Sequence, residues 1–114
     1  MEQIFRGDIV YCKLNDTDEK GVQSGERPCL VLQNDIGNKF APTTVVAPLS
    51  KKVHKKYPFH VELSKDKYNL RYDSIVLCEQ PVTISKTRIN RVINNLTFSD
   101  MERVNEALRL QLGI

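Results

Sequence analysis

Arg27 is the residue of this chain most readily given a chemical task. It stands in Gly25-Glu26-Arg27-Pro28-Cys29-Leu30-Val31-Leu32-Gln33, at the mouth of an apolar run and directly before a proline. A guanidinium is planar, permanently charged and able to grip two oxygens of one phosphate. Arg27 is equally readable as a surface charge held by an acid such as Glu26 or Glu79. A second feature is Lys51-Lys52-Val53-His54-Lys55-Lys56. The 114 residues carry a net charge of +3, yet residues 51–71 alone carry +5 and the remainder −2. Such a cluster is either a solvated loop or a seat for a polyanion. Metal chemistry finds no support. Cys12, Cys29 and Cys78 each sit in an apolar, strand-like segment, and there is no Cys-x-x-Cys. His54 and His60 are six apart across Pro58 with no partner at metal-ligand spacing. The expectation is three buried, reduced thiols, no metal and no cofactor.

The elements that must hold these residues are mostly strands. Asp8 to Leu14 alternates and is rich in β-branched residues. Asn15 to Gly25 is polar and long for a hairpin loop, as functional loops often are. Arg27 to Gln33 reads as a second strand, Asn34 to Asn38 as a turn, and Thr43 to Pro48 as a third strand. Pro48 is expected to end pairing or to sit at an edge. His60 to Leu63 and Asp73 to Glu79 read as further strands. Gln80 to Ile84 continues extended past a break at Pro81. Ser85 to Ile93 suggests a short helix or turn. Ser99 and Glu102 have capping-box spacing, followed by an apolar stripe of Met101, Val104, Leu108 and Leu112, with Gly113 as the stop. Ile9, Tyr11, Leu30, Leu32, Val45, Ile75, Leu77, Val104 and Leu108 are the expected core. The length suits one domain over residues 1–114. Short strands followed by a helix give a small antiparallel barrel, or a strongly twisted sheet, with a covering helix. No apolar run is long enough to span a bilayer and no signal segment opens the chain, so a cytoplasmic location away from membranes is expected.

Several motifs, in one order, resemble the MazF/PemK/Kid toxins. They are Arg6-Gly7-Asp8-Ile9-Val10, Arg27-Pro28, Gln33-Asn34-Asp35, Asn38 to Thr43, a strand ending in the hydroxyl of Ser50, His60-Val61-Glu62, Asp73 to Leu77 leading into Glu79-Gln80, and Thr83-Ile84-x-Lys86-x-Arg88. The chain departs from the pattern at three places. Ser50 stands where MazF proteins usually carry threonine, which keeps the hydroxyl. Pro81-Val82 stands where an arginine is usual, and Leu77 where the Kid branch has its second arginine.

The resemblance implies an α+β, mainly β fold, an SH3-like antiparallel barrel of the CcdB/MazF type with a C-terminal helix. It also implies the toxin of a type II toxin–antitoxin system, a ribosome-independent and metal-independent endoribonuclease that cuts single-stranded mRNA at a short sequence. In that chemistry the ribose 2′-OH attacks the adjacent phosphorus, leaving 2′,3′-cyclic phosphate and 5′-OH ends. The implied catalytic residues are Arg27 for charge, Ser50 for a phosphate oxygen or the 2′-OH, and Glu79 as the candidate base. Asn15, Gln23, Lys51, Lys52, Lys55, Lys56 and Gln80 are the implied RNA-binding residues. The implied partners are RNA, a second copy of the chain, and a MazE-like antitoxin with an acidic flexible tail. Operator DNA would be reached through the antitoxin complex. Two other readings stay open, a non-enzymatic CcdB-like gyrase poison and a catalytically silent RNA- or protein-binding module. The chain ends Leu112-Gly113-Ile114 and has no tryptophan, whereas CcdB-like chains end in Trp-Gly-Ile.

Overall fold

A computed structural model describes residues 3–114. Seven strands are present: β1 (Asp8–Lys13), β2 (Glu26–Val31), β3 (Thr43–Lys51), β4 (His60–Leu63), β5 (Ser74–Leu77), β6 (Val82–Ser85) and β7 (Ile89–Asn95). The described residues also form three α-helices: α1 (Asp35–Phe40) and α2 (Lys65–Tyr68) between strands, and α3 (Phe98–Leu112) after β7. All strand pairs are antiparallel, in the order β4-β5-β3-β2-β1-β7, with β6 paired to β3. The sheet bends like a small barrel but is open. No ladder joins its ends, β4 and β7, among the described residues.

The nine-residue strand β3 makes the bend. It pairs with β6 over Thr43–Val46 and with β5 over Leu49–Lys51, while β2 lies along Val46–Pro48. Pro48 therefore neither ends the strand nor lies at a sheet edge, contrary to expectation. It falls in the interval between the β6 and β5 ladders, where the lack of an N–H is tolerated.

Alternation along the strands feeds two cores, because both faces of the sheet are covered. Ile9, Leu30, Ala47, Leu49 and Val76 pack on one face with Tyr68 of α2 and Val104 and Ala107 of α3. Val10, Cys12, Cys29, Val31, Val46 and Ile84 fill the other face with Ile4 and Leu14. All three cysteines are buried, as expected, and each is a free thiol. Of the expected core, Tyr11, Val45 and Leu108 are only partly buried, and Leu112 of the helical stripe is exposed.

Four local expectations are corrected. Asn34 to Asn38 is not a bare turn: Asn34 caps α1, its side chain accepting from the Gly37 amide at 2.8 Å. Buried Asn38 then donates to the Gln33 carbonyl and accepts from Thr44 Oγ1 at 2.7 Å. Residues 65–68 form the unanticipated helix α2, closed by Asn69 at φ 54°. Residues 86–88 make a single 3₁₀ turn, but Ile89–Asn95 is strand β7, held against β1 through two register shifts. Those shifts break the period of two by which a strand is recognised. Finally, Thr97 rather than Ser99 caps α3, accepting from the Asp100 amide at 3.3 Å. Gly113 does end it, at φ 70°.

Candidate nucleic-acid interface

Arg27 and Ser50 reach one groove from neighbouring strands. The β2–β3 ladder ends at Cys29 and Pro48. Beyond it Ser50 pairs with Ile75 of β5, and the Arg27 side chain reaches across to Leu49 of β3. The guanidinium is aimed by two backbone carbonyls: Nε donates to Ser24 O at 3.2 Å and Nη1 to Leu49 O at 3.4 Å. An arginine carries five N–H donors, so most of the fork has no partner among the described residues. Among the described residues no acid neutralises it: its bonds go to carbonyls, and neither Glu26 nor Glu79 pairs with it.

Arg27 and Ser50 line a groove of about 280 Å³ together with Tyr11, Lys51, Arg71 and Tyr72, among others. Lys51, Arg71 and Tyr72 also line an adjoining open groove of about 580 Å³, whose other walls include Lys52, His54, Lys56 and Lys65. The two grooves share Lys51, Arg71 and Tyr72 as a common wall. Tyr72 stands at their junction, 43% exposed, with Lys51 Nζ 5.1 Å and Arg71 Cζ 5.5 Å from its ring centroid. Cations beside an exposed aromatic ring are the side-chain chemistry that takes up phosphates and unstacked bases.

The anticipated lysines are not equivalent. Lys51 faces both grooves. Lys52 and Lys56 line the larger one but already meet Glu62, at 3.3 and 3.9 Å. Lys55 is turned elsewhere, 5.2 Å from the Tyr57 ring. Asn15 is exposed at the start of the β1–β2 loop. Gln23 and Gln80 are joined to each other: the Gln23 amide donates to Gln80 Oε1 at 3.0 Å, and Gln80 Nε2 donates to Gly21 O at 3.0 Å.

Glu79 is not brought to the Arg27–Ser50 groove. It follows β5 four residues beyond Ile75, the partner of Ser50, and its Oε2 lies 2.9 Å from His60 Nε2. Beside it, the Cys78 thiol is pushed up to about 12 by burial and by the Glu79 charge, which keeps it protonated and inert. Among the described residues, no three His, Cys, Asp or Glu side chains cluster as metal ligands.

Tyr11, Arg71 and Tyr72 are lining residues that sequence reasoning did not single out. The signal for the last two was available, since Arg71-Tyr72 closes the basic segment with an aromatic beside a cation. Tyr11 looked like core, but it is half-buried and lines the groove; Arg91 of β7 packs on its ring, with Cζ 4.9 Å from the centroid.

This arrangement can be set beside known proteins. The "Endoribonuclease EndoA" of Bacillus subtilis (strain 168) is 41% identical over 112 residues, covering 97% of this chain and 96% of that protein. The "Endoribonuclease MazF" of Staphylococcus saprophyticus is 39% identical over 110 residues, covering 96% and 91%. In three dimensions the crystal structure of MazF from Deinococcus radiodurans superposes with a TM-score of 0.83 at 22% identity, covering all of both chains. A mycobacterial endoribonuclease in complex with its cognate antitoxin superposes at 0.78 and 21% identity, covering 97% of this chain and 96% of that one. The family model described as PemK-like, MazF-like toxin of type II toxin-antitoxin system matches residues 5–112, and the chain belongs to that family.

Proposed function

We propose that this protein is the endoribonuclease of a toxin–antitoxin pair and cuts single-stranded mRNA in the cytoplasm with Arg27 and Ser50 at the scissile phosphate. The observation that carries the reading is one groove lined by both groups: a cation aimed by two carbonyls, most of its donors without a partner among the described residues, and a hydroxyl, with Lys51, Arg71 and Tyr72 beside them. The nucleophile belongs to the substrate. The ribose 2′-oxygen forms a bond to phosphorus and gives up its proton, while the bond from phosphorus to the 5′-oxygen breaks and that oxygen takes a proton. The products carry a 2′,3′-cyclic phosphate and a 5′-OH. DNA lacks the 2′-OH and is not cut this way.

Arg27 stabilises the charge that builds on the phosphoryl oxygens and is suited to donate to the leaving oxygen. It does not deprotonate readily and is not the base. Ser50 bonds a phosphate oxygen or orients the 2′-OH. Lys51, Arg71 and Tyr72 take the flanking nucleotide, and the groove beyond them carries phosphates. Glu79, held by His60 away from this pair, serves the architecture of the loop rather than the proton transfer. The same basic groove suits the acidic tail of an antitoxin, which would fold on binding and mask it. A symmetric dimer completes this reading, with operator DNA bound through the antitoxin.

The test is purified, EDTA-treated protein on a long single-stranded RNA, with the ends mapped, beside Arg27→Ala. Discrete cuts with 5′-OH ends are expected. Arg27→Ala should fold with a melting temperature within a few degrees of wild type and lose roughly 10²–10³ in rate. Intact RNA beside an active control nuclease would overturn the reading, and gyrase inhibition would then be measured.

A further inference from the structure

The loop between β1 and β2 is tied to the fold in an unusual way. Among the described residues, the hydrogen bonds from 15–24 to the rest of the molecule run through two side chains, Gln80 and Arg27. Gln80 uses both ends of its carboxamide. Oε1 accepts from the Gln23 amide and Nε2 donates to the Gly21 carbonyl, each at 3.0 Å. The next residue, Ser24, presents the carbonyl that receives Arg27 Nε. Glycines at φ +84° (Gly21) and +79° (Gly25) bracket this stretch, and neither has a neighbour within 4 Å of where a Cβ would stand. Both positions have the positive φ that glycine adopts without strain, and the Gly25 carbonyl accepts from the Leu14 amide at 2.9 Å where the loop rejoins the sheet.

Gln80 is itself held. It lies in the turn after β5, where its amide donates to Leu77 O at 3.0 Å. The preceding residue, Glu79, is bound by His60 of β4 at 2.9 Å. A continuous series of bonds thus runs from β4 through Glu79 and the backbone to Gln80, then to Gly21, Gln23 and Ser24, and ends on the guanidinium.

We propose that Gln80 is a positioning residue: its carboxamide latches the β1–β2 loop so that the Ser24 carbonyl aims Arg27 at the scissile phosphate. A side chain already spent on two loop backbone groups is not free to read a base edge. Glutamine suits the latch because one group must accept and the other must donate. Glutamate in its place would keep the bond from Gln23 and set a carboxylate against the Gly21 carbonyl. The inference rests on Arg27 being the catalytic cation.

The experiment compares wild type with Gln80→Ala and Gln80→Glu by two readouts. The first is limited trypsin digestion after Lys20, which lies in the loop, with cleavage in the 51–56 segment as internal reference. It needs no RNA and reports the latch alone. The second is cleavage of a short RNA under saturating conditions, with affinity measured on the same RNA bearing a 2′-deoxy at the cut. Loss of two hydrogen bonds should speed the Lys20 cut roughly 5- to 10-fold in Gln80→Ala at an unchanged melting temperature, with Gln80→Glu between that and wild type. The saturating rate should fall by a similar factor while affinity for the deoxy analogue stays within about twofold, the split expected of an interaction made in the transition state. An unchanged Lys20 cut overturns the latch. A loosened loop with lost affinity and an intact saturating rate makes Gln80 a base reader and also overturns the proposal. If wild type cuts no RNA, the nuclease reading fails while the trypsin result still decides whether the latch exists.

Discussion

Asp100 illustrates how one carboxylate can hold two elements together. Burial alone would raise its pKa, but bonds from Lys67 at 2.8 Å, Tyr68 at 2.5 Å and Arg103 at 2.9 Å outweigh burial and hold it well below its ordinary 3.8. Lys67 and Tyr68 belong to α2, so the charge docks that short helix on α3. A carboxylate with a depressed native pKa contributes stability that is complete above the unfolded value and disappears as pH falls through the native one. Asp100→Asn should therefore destabilise the protein by about 1–3 kcal/mol at neutral pH. The gap to wild type in urea midpoint should begin to narrow below about pH 4, where the unfolded carboxylate is protonated, and go on narrowing as pH falls toward the native value. An equal gap at pH 3 and pH 7 would mean that shape, not charge, is what the substitution removes. Nothing in the sequence marked Asp100. It sat inside an expected capping box, and its role depends on Lys67 and Tyr68, more than thirty positions away. Glu79 and Gln80 show the same limit. Their residue types suited a base and a base reader, and only the fold reveals that His60 and the β1–β2 loop already hold them.

At the scale of elements, legibility followed periodicity. β1, β2, β4 and β5 were readable because β-branched runs are bounded by turn residues, and the apolar stripe of α3 was readable through Val104. β7 was not, since its Asn-rich sequence has low strand propensity and its pairing with β1 is shifted twice. α1 was missed because six residues are too few to show a helical period, and Gly37 argues for a turn. That glycine is needed for close packing: a Cβ there would stand 2.9 Å from Gln33 Cδ. Gln33 cannot swing aside freely, because its Nε2 donates to Asn38 Oδ1 at 3.1 Å and to Thr43 O at 2.9 Å. Alanine, ordinarily the better helix former, should here destabilise by about 1–3 kcal/mol. Gly37→Ala in the Gln33→Ala background should recover most of that loss, a double-mutant comparison that separates crowding from helix propensity. No recovery would place the strain elsewhere in α1.

For the whole molecule, charge is distributed unevenly, and part of it is already balanced. The basic balance of residues 51–71 was visible in the sequence, but which lysines remain available was not, because that depends on β4 placing Glu62 beside Lys52 and Lys56. Arg27, Lys51, Lys65 and Arg71 are the groove cations that no acid engages among the described residues. If these four meet phosphates, the logarithm of affinity for a non-cleavable single-stranded RNA should fall with the logarithm of salt at a slope near −3, since each neutralised phosphate contributes about −0.7. Between 50 and 200 mM salt this corresponds to roughly a 50-fold loss of affinity. Glu62→Gln tests the same account from the other side. Releasing Lys52 and Lys56 should steepen the slope toward about −4 and tighten binding at low salt. A slope unchanged by Glu62→Gln would mean that RNA does not run along the larger groove, and the path of the strand would have to leave the Arg27–Ser50 pair on its Tyr11 side.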